Sequence, residues 1–447
     1  MIYILLFLLV VLFGIIYFFS RDIFSPSCVL CESYIISIIS GIIHSKMLGW
    51  DFNISLKTFG LCLIGMVIFE LAYGFTYYIQ KKTLIKNNIE TRRFALHSID
   101  ISRTKIGILI CIQIIVLILY IYYFVKNIGG LSIATITDTM MSYRSSYYFE
   151  DNANSNTLIP SFVTQMTKIS RVISYFCIYI FILNKLNSDD KKTRNRLLLI
   201  PCLIYIPIVL LSGGRYYIIM FFISTFIIWV ILNKVLNNKQ VLLKNFIKIV
   251  ASILFVLLFF SVTRTLVGRT STTGILEYIT GYLGRNVKML DMYINDPITQ
   301  SNIWGQETFY SLNRILYKLG ILKEKYTIYL EFRYLNGISM GNTYTAFRCM
   351  YNDFGMIGVI ILQTIEGIVF SLIYSFITLK KINTYSILVL LYSMLIATLF
   401  MHSYSESFYN EVISLSYIIF ITGFYALGYY LRIYLKDSGI ISIRRKI

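Results

Sequence analysis

The sequence predicts an all-α, polytopic integral membrane protein: about eleven transmembrane helices and one long, partly helical extracytoplasmic loop. Three observations predict it. Of the 447 residues, 57% are apolar and 14% charged, against roughly 45–50% and 25% in soluble domains. The apolar residues gather in runs near the ~20 residues that a helix needs to cross the hydrocarbon core. The 41 Lys and Arg residues fall unevenly on alternate connections between those runs. This composition excludes a string of soluble domains, a disordered chain, a collagen-like fibre and a disulfide-stapled secreted module. The net charge of +19 does not point to nucleic acid, because membrane proteins concentrate basic residues in cytoplasmic loops. Residues 1–447 read as a single transmembrane domain.

In chain order the predicted spans are 2–19, 27–45, 58–79, 106–125, 163–184, 197–213, 216–233, 249–266, 354–378, 384–401 and 412–431. The first resembles a secretory signal, but no basic stretch precedes it and no small-residue cleavage site follows, so it reads as a retained helix. The sixth and seventh are separated at Gly214 and Arg215, because an arginine at mid-bilayer costs several kcal/mol. The seven cysteines lie mostly inside apolar runs, where cysteine acts as a small hydrophobe. Cys28 and Cys31 form a C-x-x-C with no βαβ pattern around it, which argues against a redox motif.

Orientation follows from the short connections. One set carries 24 Lys and Arg, namely Arg21, those in 80–105, 185–196 and 234–248, Lys380, Lys381 and the tail. The other set, 46–57, 126–171 and Arg215, carries 7. The first set is therefore expected inside and the long stretch 264–353 outside, in a bacterial cytoplasmic (inner) membrane with the working face toward the periplasm or cell exterior.

A loop of this length is usually functional. Phe309, Leu312, Leu316 and Leu319 recur at helical spacing, as do Leu276, Ile279, Leu283 and Val287. These segments are expected to lie at the interface, apolar face down. The loop also carries Arg264, Arg269, Arg285, Arg314, Arg333 and Arg348. Outward loops tend to avoid positive charge, and the planar fork of arginine suits phosphate oxygens. The alternative is pairing with acids of the same loop: Glu277, Asp291, Asp296, Glu307, Glu324, Glu331 and Asp353.

Three motifs stand at the outer boundary. Leu211-Ser212-Gly213-Gly214-Arg215-Tyr216-Tyr217 presents Arg215 between two spans. Gly341-Asn342-Thr343-Tyr344-Thr345-Ala346-Phe347-Arg348 runs into Tyr351-Asn352-Asp353-Phe354-Gly355-Met356-Ile357-Gly358 and gathers sugar-like hydrogen-bonding groups and a cation. His402-Ser403-Tyr404-Ser405-Glu406-Ser407 puts a histidine near a carboxylate in a short outer turn. The bland readings are a plain turn, a helix cap by Asp353 and an interfacial polar turn.

The second motif, together with S-G-G-R at 212–215, a following helix and a long outer loop, resembles the Wzy-type oligosaccharide repeat-unit polymerases of O-antigen and capsule. The resemblance runs from about residue 200 to 410, while residues 1–190 match only as apolar helices. Some members carry outer-loop repeats of Arg and Gly with ten residues between them. Here nine residues separate Arg264 from Gly274, so that pattern is not met. The resemblance implies glycosyl transfer outside the cytoplasmic membrane, moving a growing glycan from its undecaprenyl pyrophosphate carrier onto the next lipid-linked repeat unit. It implies membrane lipid, a flippase and a chain-length regulator as company, and no nucleic acid. Such a reaction needs a base on the acceptor hydroxyl and charge stabilisation at the leaving pyrophosphate. Arg215, Arg264, Arg269 and Arg348 are the candidates for phosphate, Asn342 and Tyr344 for sugar, and Asp353 and His402 for the base. No D-x-D pair stands in 46–57, so the chemistry is expected to be metal-independent and cofactor-free.

Glu70 and Glu366 fall near the middle of apolar spans, with Glu32 near the end of one. Intramembrane acids are costly and default to function. A transporter or flippase for the same lipid-linked glycan is therefore the alternative, although the internal repeats common in transporters are not evident. An O-antigen ligase shares the topology and the arginine-rich loop, and the D-F-G-x-x-G ending favours the polymerase.

Overall fold

Caps and breaks set the helix limits. Helix α2, Pro26–Leu48, opens on Ser25, whose side chain accepts from the Cys28 N–H, with Pro26 in the first turn where no donor is lost. It ends at Gly49, whose φ of 71° stops it. The computed structural model describes residues 1–86, 97–128, 140, 159–187, 192–212, 215–237, 258–259, 261–264, 274–298, 301–324, 330–379 and 385–431. The other helices are α1 (Ile2–Ser20), α3 (Leu56–Lys86), α4 (Arg103–Ile128), α5 (Ser161–Leu186), α6 (Lys192–Leu197), α7 (Leu199–Leu211), α8 (Tyr216–Asn237), α9 (Ile275–Gly284), α10 (Asn286–Asn295), α11 (Tyr310–Lys318), α12 (Ala346–Leu379), α13 (Ile387–Phe400), α14 (Phe408–Val412) and α15 (Leu415–Tyr430).

Seven helices among the described residues are long and apolar enough to cross a membrane: Ile2–Ser20, Pro26–Leu48, Leu56–Thr83, Arg103–Lys126, Ser161–Leu186, Tyr216–Leu236 and Ala346–Leu379. They coincide with seven of the expected runs. Three others emerge as shorter apolar helices, Asn195–Leu211, Ile387–Phe400 and Leu415–Tyr430. The first of these carries Pro207 inside it, and the last is cut short where α14 ends and Ile413 turns the chain. Most of the expected span 249–266 lies outside the described residues.

The chain forms two compact units. Unit 1 comprises Met1–Glu90, Thr273–Lys380 and Leu395–Leu415, and unit 2 comprises Thr91–Thr272, Lys381–Met394 and Ser416–Ile447. In unit 1, α3 packs along α12. The Ser371 hydroxyl donates to the Tyr73 carbonyl across this contact at 2.9 Å. On the other side of α12, Ile357, Ile361, Ile365, Ile368, Leu372 and Phe376 are exposed at helical spacing, the stripe that a lipid-facing helix presents. Helix α9 crosses α2 so closely that a Cβ on Gly284 would stand 2.1 Å from the Gly41 nitrogen. In unit 2, the buried Gln113 of α4 donates to Ser170 and Ser174 of α5 at 2.9–3.0 Å. Such polar ties between helices stand in for the missing hydrophobic drive in lipid.

Two features depart from the all-helical expectation. A short antiparallel hairpin pairs β1 (Arg333–Leu335) with β2 (Ile338–Gly341). Its turn is Asn336-Gly337, both at positive φ (51° and 78°), the geometry that matches strand twist in a two-residue hairpin. The second is the start of the ninth expected span. Helix begins at Ala346, not near 354, and breaks at Gly355, with φ 64° and ψ −160°. An L side chain is strained there, so the glycine of D-F-G-M-I-G is a requirement of the fold. The portion after the break, 356–379, is ~36 Å long at 1.5 Å per residue, enough alone to span the hydrocarbon core.

Candidate functional site

The polar residues of unit 1 converge on Arg348, one turn into α12. Its guanidinium is fully buried. One terminal nitrogen meets Glu307 Oε2 at 2.5 Å and the other meets Glu331 Oε2 at 2.8 Å. The rings of Tyr293 and Tyr344 flank it, with centroids 4.4 and 4.7 Å away. Glu331 also binds Arg333, 3.2 Å away, and Arg333 reaches on to the Met292 carbonyl at 2.9 Å. The Tyr344 hydroxyl donates to the Glu331 carbonyl at 3.0 Å. Burial raises the Glu307 carboxyl from its ordinary 4.5 to about 7, with Arg348 holding it from going higher.

Arg348 and Tyr344, expected on phosphate and sugar, are therefore occupied by protein groups. This is the pairing alternative, realised through two of the seven acids named for it. Two carboxylates supply the charge and the planar acceptors that a phosphate would offer. Asp353 is likewise engaged. It accepts from the Glu307 and Thr308 N–H groups at 3.1 and 2.7 Å and from the Ser301 hydroxyl. It caps the turn before α11, not its own helix. Arg348 and Asp353 thus meet at the same loop residue, Glu307, one by side chain and the other by backbone. Asn342 is partly exposed just after the hairpin.

His402 is also withdrawn from solvent, at 2% exposure. Its Nδ1 faces Tyr34 Oη at 2.9 Å, its Nε2 faces Gln363 Nε2 at 3.1 Å, and its ring meets Phe347 edge-on. Glu366 Oε2 lies 3.8 Å from Nε2. Burial lowers the imidazole from 6.5 to about 3, so the ring is neutral. Four residues on, Glu406 is buried and accepts from the Tyr409 N–H at 2.7 Å and the Asn410 side chain at 2.6 Å. Burial raises its carboxyl to about 8.

In unit 2, Arg215 is 5% exposed and directly precedes α8. Its carbonyl accepts from Ile218 and Ile219 N–H at 3.1 and 3.2 Å, so the helix starts on it. Two residues on, the Tyr217 ring lies 4.9 Å from the guanidinium of Arg171. Arg171 is 6% exposed and also meets Phe420 at 4.7 Å and Tyr175 at 5.6 Å. Arg171 entered the sequence reading only as one more loop charge. Two of its three ring partners lie on α8 and α15, far along the chain, and only its place inside the expected span 163–184 hinted at burial. Arg264 is partly buried in the turn at 263–264, and Arg269 lies outside the described residues.

Among the described residues no group of three or more His, Cys, Asp or Glu is arranged to hold a metal ion. The seven cysteines are free thiols, and Cys28 and Cys31 are both buried in α2. Fold and composition together define the class, a mostly helical, membrane-embedded protein. No family model, curated protein or solved structure matches the chain. The likeness to the repeat-unit polymerases accordingly rests on the quoted motifs.

Proposed function

We propose that this protein is a membrane glycosyltransferase that joins lipid-linked oligosaccharide repeat units into a polysaccharide on the outer face of the cytoplasmic membrane. One observation carries the reading: the first turn of α8 is tied to two buried guanidinium groups, Arg215 at its start and Arg171 against Tyr217. A helix start adds the positive end of its dipole. That is a setting for a pyrophosphate, whose developing charge as a leaving group must be stabilised. The excess of Lys and Arg on the opposite set of connections supports an outward-facing end of α8. Arg215 takes the phosphate role, with Arg264 and Arg269 of the long loop as further candidates. Arg348, Tyr344 and Asp353 hold the loop against α12, which leaves Asn342 as the sugar-contacting candidate.

The test is glycan chain length in a deletion strain complemented with variants at equal membrane level. Arg215→Lys keeps the charge but loses the bidentate fork, and it is expected to shorten the polymer, with Arg215→Ala abolishing it. Full-length polymer from both variants removes Arg215 from the site.

A further inference from the structure

The acid in the apolar part of α12 is not used by the reading above. Glu366 has no exposed surface, and it lies past the Gly355 break in the portion long enough to span the bilayer. Its Oε2 accepts from Gln363 Nε2 at 2.9 Å, and its Oε1 has no hydrogen-bond partner. The amide nitrogen of Gln363 also faces His402 Nε2 at 3.1 Å. An amide nitrogen only donates. His402 Nε2 is therefore a lone pair, and the ring's single proton sits on Nδ1 toward Tyr34 Oη, 2.9 Å away. A neutral ring brings no countercharge to Glu366.

Among the described residues, the other groups facing the cluster supply none either. Tyr34 comes from α2, with Cys62 of α3 behind it. Glu406, an acid, acts on Glu366 from the outer turn, and Tyr409 of α14 is coupled to both carboxyls. The Met350 sulfur touches Gln363 at 3.5 Å. An ionised Glu366 would be a buried charge with one amide donor and one bare oxygen. That arrangement is costly enough for a carboxyl to take up a proton instead.

We propose that Glu366, Gln363 and His402 form a binding site for a single proton, carried as the neutral carboxyl of Glu366 with His402 as its second seat. In the first placing the proton is bonded to a Glu366 oxygen and His402 is neutral. In the second, that O–H bond breaks and an N–H bond forms at Nε2, giving an imidazolium–carboxylate pair across the present 3.8 Å gap with the Gln363 amide turned aside. The electron pair left on oxygen is the carboxylate's charge, and the site holds one proton and no net charge either way. His402 lies in the turn beyond α13, so this second seat is the one nearer the end of the bundle. The inference is independent of the transferase reading and does not use polymer length.

The experiment is infrared difference spectroscopy of the full chain in lipid nanodiscs. Wild-type protein at neutral pH is expected to show a protonated-carboxyl carbonyl band that shifts in D₂O, is lost in Glu366→Gln and is displaced in frequency in Glu366→Asp. His402→Gln should keep the band, because the proton is then confined to Glu366. Should Glu366→Gln fail to fold, the displacement in Glu366→Asp decides alone. Spectra of wild type and folded Glu366 variants that superimpose overturn the proposal. So does a Glu366 band that appears only in the ordinary acid range of a carboxylate.

Discussion

Two guanidinium groups in this protein are buried to nearly the same extent and by opposite means. Arg348 in unit 1 is closed off by two carboxylates and two tyrosine rings. Arg171 in unit 2 is set among three rings, with centroids at 4.7 to 5.6 Å. A carboxylate partner neutralises the charge and fills the in-plane donors, whereas an aromatic ring meets the face and leaves the charge in being. Counting arginines in an outer loop therefore does not find an anion site. What covers the fork is the informative property, and by it Arg348 holds structure.

Removing Arg348 tests the first half of that contrast most severely. Arg348→Ala strands Glu307, leaves Glu331 with Arg333 alone, and should cost about 3–5 kcal/mol, read as a fall in thermal stability in detergent and in membrane level. The double variant Arg348→Met, Glu307→Gln should recover part of the loss. A single variant that melts like wild type would mean the carboxylates are not buried charges.

The pH dependence separates the acids of unit 1 from its histidine. Glu307 and Glu406 hold their protons more tightly folded than unfolded, so their contribution falls as pH rises from 4.5 through about 7 and about 8. His402 resists protonation when folded, so its contribution falls as pH drops from 6.5 toward about 3. Of these three groups, only the two acids act above pH 6.5 and only His402 acts below pH 4.5. Glu406→Gln should flatten the upper limb of a melting-temperature profile and His402→Gln the lower one. Limbs unchanged by these substitutions would assign the slopes to other groups.

Asp353→Asn keeps the shape and one acceptor oxygen but gives up charge-assisted bonds to Glu307 and Thr308 N–H. The expected loss is about 1–3 kcal/mol, with membrane level and polymer length falling together. Loss of polymer at full stability would return Asp353 to the chemistry. Smallest in stability should be Arg171→Lys, at about 1 kcal/mol or less, while polymer length drops as it does for Arg215→Lys. Unchanged polymer would reduce the ring cage to packing.

The apolar spans were legible because hydropathy is a local property, and the seven long helices fall on expected runs. Asn336-Gly337 is the strongest short-range turn signal, but the helical spacings of the surrounding loop mask the two short strands that flank it. The buried pairs were not legible. Glu307 and Arg348 are 41 residues apart and Tyr34 and His402 are 368 apart, so no spacing rule connects them. The acids of the loop were named as partners for its arginines, but only the packing of α10, the hairpin and α12 selects Glu307 and Glu331 for Arg348. Gln363 sits one turn before Glu366, a pairing that helical spacing alone could have suggested.

The break at Gly355 has a mechanical consequence. The head of α12, residues 346–354, is bolted to the loop through Arg348 and Asp353, while the shaft, 356–379, is bolted to α3. A continuous helix would carry torque from one fastening to the other. A single residue outside helical geometry acts as a universal joint, so a push on the loop bends the chain at one point and reaches Glu366 through side contacts, Phe347 on His402 and Met350 on Gln363, and not along the helix axis.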